Sequence, residues 1–162
     1  NVITMSQEIC DTLSDLDSSN KEYYNENLAT FTEQLNNLDN DFKTQLSNVS
    51  NKKIVVSHEA YSYLCSAYGL EQTSIDGISA DSEPSPAKMK EIADYIKANN
   101  VKYIFFEELV SPKIAQSLAD ETGVQLLALN PFEGLEQEDI DNGADYISVM
   151  EENLKNLVTA LK

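Results

Sequence analysis

Ile54-Val55-Val56-Ser57-His58-Glu59 and, further along, Tyr103-Ile104-Phe105-Phe106-Glu107 are the stretches that decide how this chain is read. Each is a short β-branched or aromatic run without polar alternation, and each ends abruptly in polar residues. That is the pattern of a strand buried on both faces, as in a parallel sheet. Two further runs complete the set, Glu71 to Ile78 and Gln125 to Leu129. Between them lie helical segments: from about residue 59 to 68, closed by Gly69; from 87 to 98, opened by Ser85-Pro86; and to about 122, opened by Ser111-Pro112 and closed by Gly123. Pro at the start and Gly just past the end are the usual marks of such helices. A loop around Pro131 and Gly134 then leads to a last helix over about 144–162. Strand and helix alternate regularly, which predicts an α/β fold with a four-stranded, mainly parallel sheet flanked by helices.

The first fifty residues follow another pattern. They lack Gly and Pro, and Tyr24, Leu28, Phe31, Leu35, Leu38, Phe42 and Leu46 recur at steps of three and four. This is one long amphipathic helix. Val2, Met5, Ile9, Leu13 and Leu16 trace a shorter helix before it, and Asp17-Ser18-Ser19-Asn20 supplies the turn and an N-cap. The stripe is too short for several paired heptads, so it is read as a face packed on protein rather than as a free coiled coil. The reading divides the chain into a helical lead-in with a long helix, 1–50, and an α/β lobe, 53–162, with Asn51-Lys52-Lys53 between them.

Composition removes several functions. In 162 residues there are 28 Asp and Glu against eleven Lys and no Arg, a formal net charge of −17. Such a field repels phosphate backbones, and no guanidinium is present to grip phosphate or guanine, which argues against nucleic acid as a partner. Cations are the natural partners. No Gly-x-Ser-x-Gly elbow is present, neither Cys10 nor Cys65 lies beside the one His at a strand end, and five Gly leave little for a phosphate cradle. The reading is therefore not of an enzyme. The two Cys are too few for a disulfide scaffold and are expected as buried free thiols. The chain starts at Asn1 with neither Met nor a signal peptide, so a mature form or a fragment is expected.

In open parallel sheets ligands gather beyond the carboxyl ends of the strands. Here those ends are Ser57-His58-Glu59, Glu107-Glu108 and Asn130-Pro131-Phe132-Glu133. Taken singly they are ordinary. A His after a strand can cap a helix, Glu107 can cap a turn, and Glu133 begins an acidic loop. Taken together, His58, Glu107 and Glu133 fall on one rim and suit a divalent cation with one nitrogen ligand and one or two oxygen ligands.

The same residues carry a resemblance. Ile54-Val55-Val56-Ser57-His58-Glu59-Ala60-Tyr61-Ser62-Tyr63-Leu64 with Tyr68-Gly69-Leu70, then Ile78-Ser79 and Glu83-Pro84-Ser85-Pro86, Ile104-Phe105-Phe106-Glu107, Ser111-Pro112-Lys113 and Leu129-Asn130-Pro131-Phe132-Glu133 occur in order through 53–162. This stretch resembles the C-terminal lobe of the zinc-binding solute receptors of bacterial ABC importers, the ZnuA type. Residues 1–50 resemble that family's lobe-connecting helix and its lead-in.

The resemblance implies two α/β lobes joined by a rigid helix, with the ion between them on two His from the N-terminal lobe and two ligands from the C-terminal one. It implies that His58 is a metal ligand and favours zinc over manganese, since manganese receptors tend to carry Glu there. Where the family usually reads Leu-Asp-Pro, this chain reads Leu129-Asn130-Pro131. The carboxylate ligand is accordingly taken as Glu133, with Asn130 shaping the loop and Glu107 orienting His58 or a bound water. The implied function is an extracytoplasmic zinc solute-binding protein, here its C-terminal half, lipid-anchored at the surface of a Gram-positive bacterium. Its implied partners are a membrane ABC permease and its own N-terminal lobe. The alternatives are a surface adhesin on the same scaffold and, ranked last, a metal-dependent hydrolase using Glu107.

Overall fold

A computed structural model of the chain describes residues 1–75, 84–109 and 111–162. It divides into two compact units, Asn1–Asp41 and Phe42–Lys162. The division falls inside the long helix rather than at Asn51-Lys52-Lys53, because Phe42, Leu46 and Val49 are already deeply buried and Phe42 stacks on Tyr68 at 4.9 Å between ring centroids.

The first unit holds α1 (Val2–Leu16), a 3-10 turn (Ser18–Asn20) and most of α2 (Lys21–Ser47). Their junction is organised by Asp17. Its carboxylate accepts hydrogen bonds from Ser19 Oγ at 2.5 Å, Asn20 Nδ2 at 2.7 Å and Tyr24 Oη at 3.1 Å. These donors, Ser19 first, hold its pKa down to about 2. Cys10 and Ser14 are the buried residues of α1, whereas Met5, Ile9 and Leu16 of its apolar stripe stay exposed.

In the second unit, β1 (Lys53–Val56), β2 (Glu71–Ser74), β3 (Tyr103–Phe106) and β4 (Gln125–Ala128) form one sheet in the order β2-β1-β3-β4, every pairing parallel. The chain moves outward from β1 to β2 and then across to β3 and β4, so the order reverses between the central strands. Their registers pair Val55 with Ile104 and Val56 with Phe105. All four are fully buried, as runs without polar alternation require. Val55 and Ile104 join Ile92, Ala93 and Ile96 of α4 (Pro86–Ala98) and Ala115, Leu118 and Ala119 of α5 (Lys113–Thr122) in one core cluster.

Several ends match the expected signals. Ser85 caps α4 by accepting from the Lys88 N–H, with Pro86 at its first turn. Gly123 closes α5 in the left-handed region that favours glycine, at φ +78°. Other ends differ. The helix expected from residue 59 begins at Ser62 (α3, Ser62–Tyr68), because the Tyr61 N–H is taken by Gln72 Oε1 at 3.2 Å and the preceding residues turn back on themselves, Ala60 N–H to His58 carbonyl. The second strand ends at Ser74, and the rest of the expected run beyond Ile75, with the Ile78-Ser79 and Glu83 motif positions, lies outside the described residues. The loop after Pro131 contains a short helix, α6 (Gln137–Asp141), that its acidic composition had hidden. The last helix, α7 (Tyr146–Leu161), starts on a capping box between Asp145 and Ser148. Cys10 and Cys65 are buried and free, and burial pushes the Cys65 thiol up to about 11. No helix among the described residues is long and apolar enough to cross a membrane.

Candidate metal centre

His58 lies two residues past Val56 on β1, and Glu107 two residues past Phe105 on β3. Extending the parallel register by two positions sets them opposite one another, on the same side of the sheet. The contact is made: His58 Nδ1 meets Glu107 Oε1, with both side chains more than nine-tenths buried and neither atom holding another hydrogen-bond partner among the described residues. Burial raises the Glu107 pKa and the nearby Glu133 charge adds to that, while His58 draws it back down.

With Nδ1 committed, the other ring nitrogen is the one offered to the rim. His58 Nε2 stands 3.8 Å from Glu133 Oε1. Two ligands on one tetrahedral zinc, with bonds of about 2.0–2.1 Å, lie about 3.3 Å apart. Glu133 therefore needs to close by about half an ångström, and its side chain is 68% exposed and able to turn. The three rim residues predicted from sequence come together as two potential ligands and one orienting carboxylate. Among the described residues, no group of three or more His, Cys, Asp and Glu side chains is arranged to hold an ion. A half-shell is what this rim offers.

The Asn130 side chain turns onto its own loop. Its Oδ1 accepts the Phe132 N–H at 2.7 Å, a local turn that side chains of this type favour. Its backbone is gripped by Asn153 of α7, whose Oδ1 accepts the Asn130 N–H at 2.8 Å and whose Nδ2 donates to the Asn130 carbonyl at 2.7 Å. Phe132 sits at φ +62°, unusual for a bulky residue, with its ring 5.1 Å from Tyr146 in an edge-on arrangement. One residue upstream, the Leu129 carbonyl accepts the Tyr61 hydroxyl at 2.5 Å. Burial, with the charges of Glu107 and Glu133 added, raises the Tyr61 pKa, so the hydroxyl stays a donor.

Sequence reasoning passed over Tyr61 and Asn153. A signal for Asn153 was present: Met150, Asn153, Leu154, Leu157 and Leu161 share one helical stripe, and an amide in the middle of an apolar face calls for a partner. Tyr61 left no comparable trace, since its partner is 68 residues away.

Fold and rim define an α/β lobe with a buried imidazole between two carboxylates beyond the carboxyl ends of its parallel strands, and comparison with known proteins gives its family. The family profile described as zinc-uptake complex component A, periplasmic (ZnuA), matches residues 1–160. The zinc-binding lipoprotein AdcA of Streptococcus pneumoniae is 43% identical over 155 residues, 96% of this chain and 31% of that protein. The high-affinity zinc uptake system protein ZnuA of Bacillus subtilis is 41% identical over 145 residues, 90% of this chain and 46% of that protein. Among solved structures, the Zn(II)-bound ZnuA-like domain of S. pneumoniae AdcA superposes with a TM-score of 0.83 at 42% identity, covering 98% of this chain and 60% of that one. The laminin-binding protein Lmb of Streptococcus agalactiae, described as bifunctional with adhesin and metal transporting activity, gives 0.86 at 36% identity, covering 95% and 58%.

This chain belongs to the ZnuA family, a family of transport components rather than of enzymes. It spans between about a third and a half of the length of these two curated relatives.

Proposed function

We propose that this chain is the C-terminal lobe of an extracytoplasmic zinc receptor that delivers its ion to a membrane ABC importer, with His58 and Glu133 as this lobe's two metal ligands. The observation that carries the reading is the His58 ring, buried and held at Nδ1 by Glu107, with Nε2 turned to Glu133. Holding one ring nitrogen so that the other is presented is how metal-binding imidazoles are usually oriented. The imidazole favours zinc over manganese. The remaining ligands come from an N-terminal lobe, a reading supported by the greater length of the relatives and their zinc-uptake names. A lipid anchor at the cell surface rests on the name of the S. pneumoniae lipoprotein. Asn130 shapes the loop. A hydrolytic role for Glu107 has no support in the geometry, since that carboxylate is committed to His58.

Calorimetric titration of the 162-residue chain tests this. One zinc per chain is expected, bound much more weakly than by the intact receptor, and weakened at least about tenfold by either His58→Ala or Glu133→Ala. Tight binding indifferent to both substitutions would sink the ligand assignment. The likeness to Lmb supports a second reading, adhesion. It predicts retention on a laminin-coated surface by the metal-free chain; no retention would remove it.

A further inference from the structure

The loop that carries Glu133 is held by two buried side chains that reach it from different elements. Tyr61, three residues after His58, is 4% exposed and donates its hydroxyl to the Leu129 carbonyl. Asn153 of α7, also 4% exposed, occupies both backbone polar groups of Asn130. Pro131 then fixes its own φ and has no N–H to place. The Phe132 N–H is spent on Asn130 Oδ1. Four backbone groups between the Leu129 carbonyl and the Phe132 N–H are thus pegged by side chains, and Glu133 follows immediately.

Neither peg is explained by packing alone. Position 153 lies on the apolar stripe of α7, where Leu would fill the space without an amide to satisfy. Phe would fill the ring site of Tyr61. A buried amide or hydroxyl costs free energy unless it is paired, and here both are paired with the backbone at the root of one loop. Asn156, one turn further along α7, is a third residue that holds the same region, donating to the Ala128 carbonyl at 3.1 Å.

We propose that Tyr61 and Asn153 are positioning residues for metal capture: neither touches the ion, and together they set where Glu133 stands relative to His58. Tyr61 ties the His58 segment across β3 to the Glu133 segment, and Asn153 fixes that second segment from the helix side. The inference rests on the reading of His58 and Glu133 as ligands.

The test uses the 162-residue chain with Tyr61→Phe, Asn153→Leu and Asn153→Asp, beside His58→Ala and Glu133→Ala. Zinc affinity is read by competition with a chromophoric chelator, and coordination by the visible spectrum of the cobalt(II)-loaded chain. Tyr61→Phe and Asn153→Leu are each expected to weaken zinc about 10- to 100-fold, the usual effect of losing a group that orients a ligand. Both are expected to change the cobalt band, which a loss of stability alone would not do. Asn153→Asp keeps the acceptor for the Asn130 N–H and falls between wild type and Asn153→Leu. If Asn153→Leu does not fold, Tyr61→Phe and Asn153→Asp decide. Zinc uptake that depends on His58 and Glu133 yet is unchanged in affinity and cobalt spectrum by these variants overturns this proposal alone. Absent uptake, or uptake indifferent to His58→Ala and Glu133→Ala, overturns the ligand reading and this proposal with it.

Discussion

His58 and Glu107 face each other because the strands beneath them do: Val56 pairs with Phe105 at the centre of the sheet, and the next residues of like orientation on each strand's continuation are the imidazole and the carboxylate. The contact is therefore a product of the sheet rather than of either loop.

Removing Glu107 takes away the one partner that His58 Nδ1 has among the described residues. Glu107→Ala is expected to weaken zinc about 10- to 100-fold. Glu107→Gln retains an acceptor for the ring N–H and loses less. A chelator competition series measures both, and a Gln variant no better than Ala would contradict the orienting role.

Acid is expected to act on the junction within the lead-in. The folded pKa of Asp17, about 2, lies below its ordinary value of 3.8. A depressed carboxylate contributes stability that is present above the unfolded value and is lost as pH falls through the folded one. The α1–α2 junction is thus expected to loosen between about pH 4 and pH 2. A carbon-13 titration of the Asp17 carboxyl checks the midpoint; a value near 4 would mean that Ser19, Asn20 and Tyr24 do not hold it in solution.

Phe42 is 1% exposed and stacked on Tyr68. Phe42→Ala is expected to cost about 3–5 kcal/mol in urea unfolding. Phe42→Leu keeps most of the volume and gives up mainly the ring pair, worth about 0.5–1.5 kcal/mol. Near-equal losses in the two variants would show that the ring geometry, not the filled volume, is what counts.

With its thiol near 11 and its side chain buried, Cys65 is expected to be inert. At pH 8 about a thousandth of such a thiol is ionised, and the thiolate is the nucleophile. Disulfide-exchange labelling of the folded chain followed by peptide mapping should leave Cys65 unmodified until denaturant is added. Rapid labelling under native conditions would show that the α3 region opens readily.

The central strands were the most legible part of this molecule. Ile54-Val55-Val56 and Tyr103-Ile104-Phe105-Phe106 had no polar alternation because both of their faces are covered, and a pattern with that cause can be read without coordinates. The punctuation by Ser85-Pro86, Gly69 and Gly123 was equally plain, being local chemistry. The start of α3 was not legible, because it depends on Gln72 capturing the Tyr61 N–H from a neighbouring strand. Nor was α6, whose one large apolar residue, Ile140, is exposed and sets no period. At the site, rim membership followed from strand ends, so His58, Glu107 and Glu133 could be gathered in advance. The pegs at Tyr61 and Asn153 act over long separations in the chain, and no spacing rule reports such a contact.

The sheet order has a consequence for how an ion would come and go. His58 is rooted beside the central strands, whereas Glu133 follows β4, the strand at the end of the sheet order. If the two are the ligands, one jaw is rooted in the sheet and the other is an exposed side chain on a backbone held by Tyr61 and Asn153. Adjustment around an ion is then left to the rotation of one exposed side chain, while both backbones that present the pair stay tied to the core.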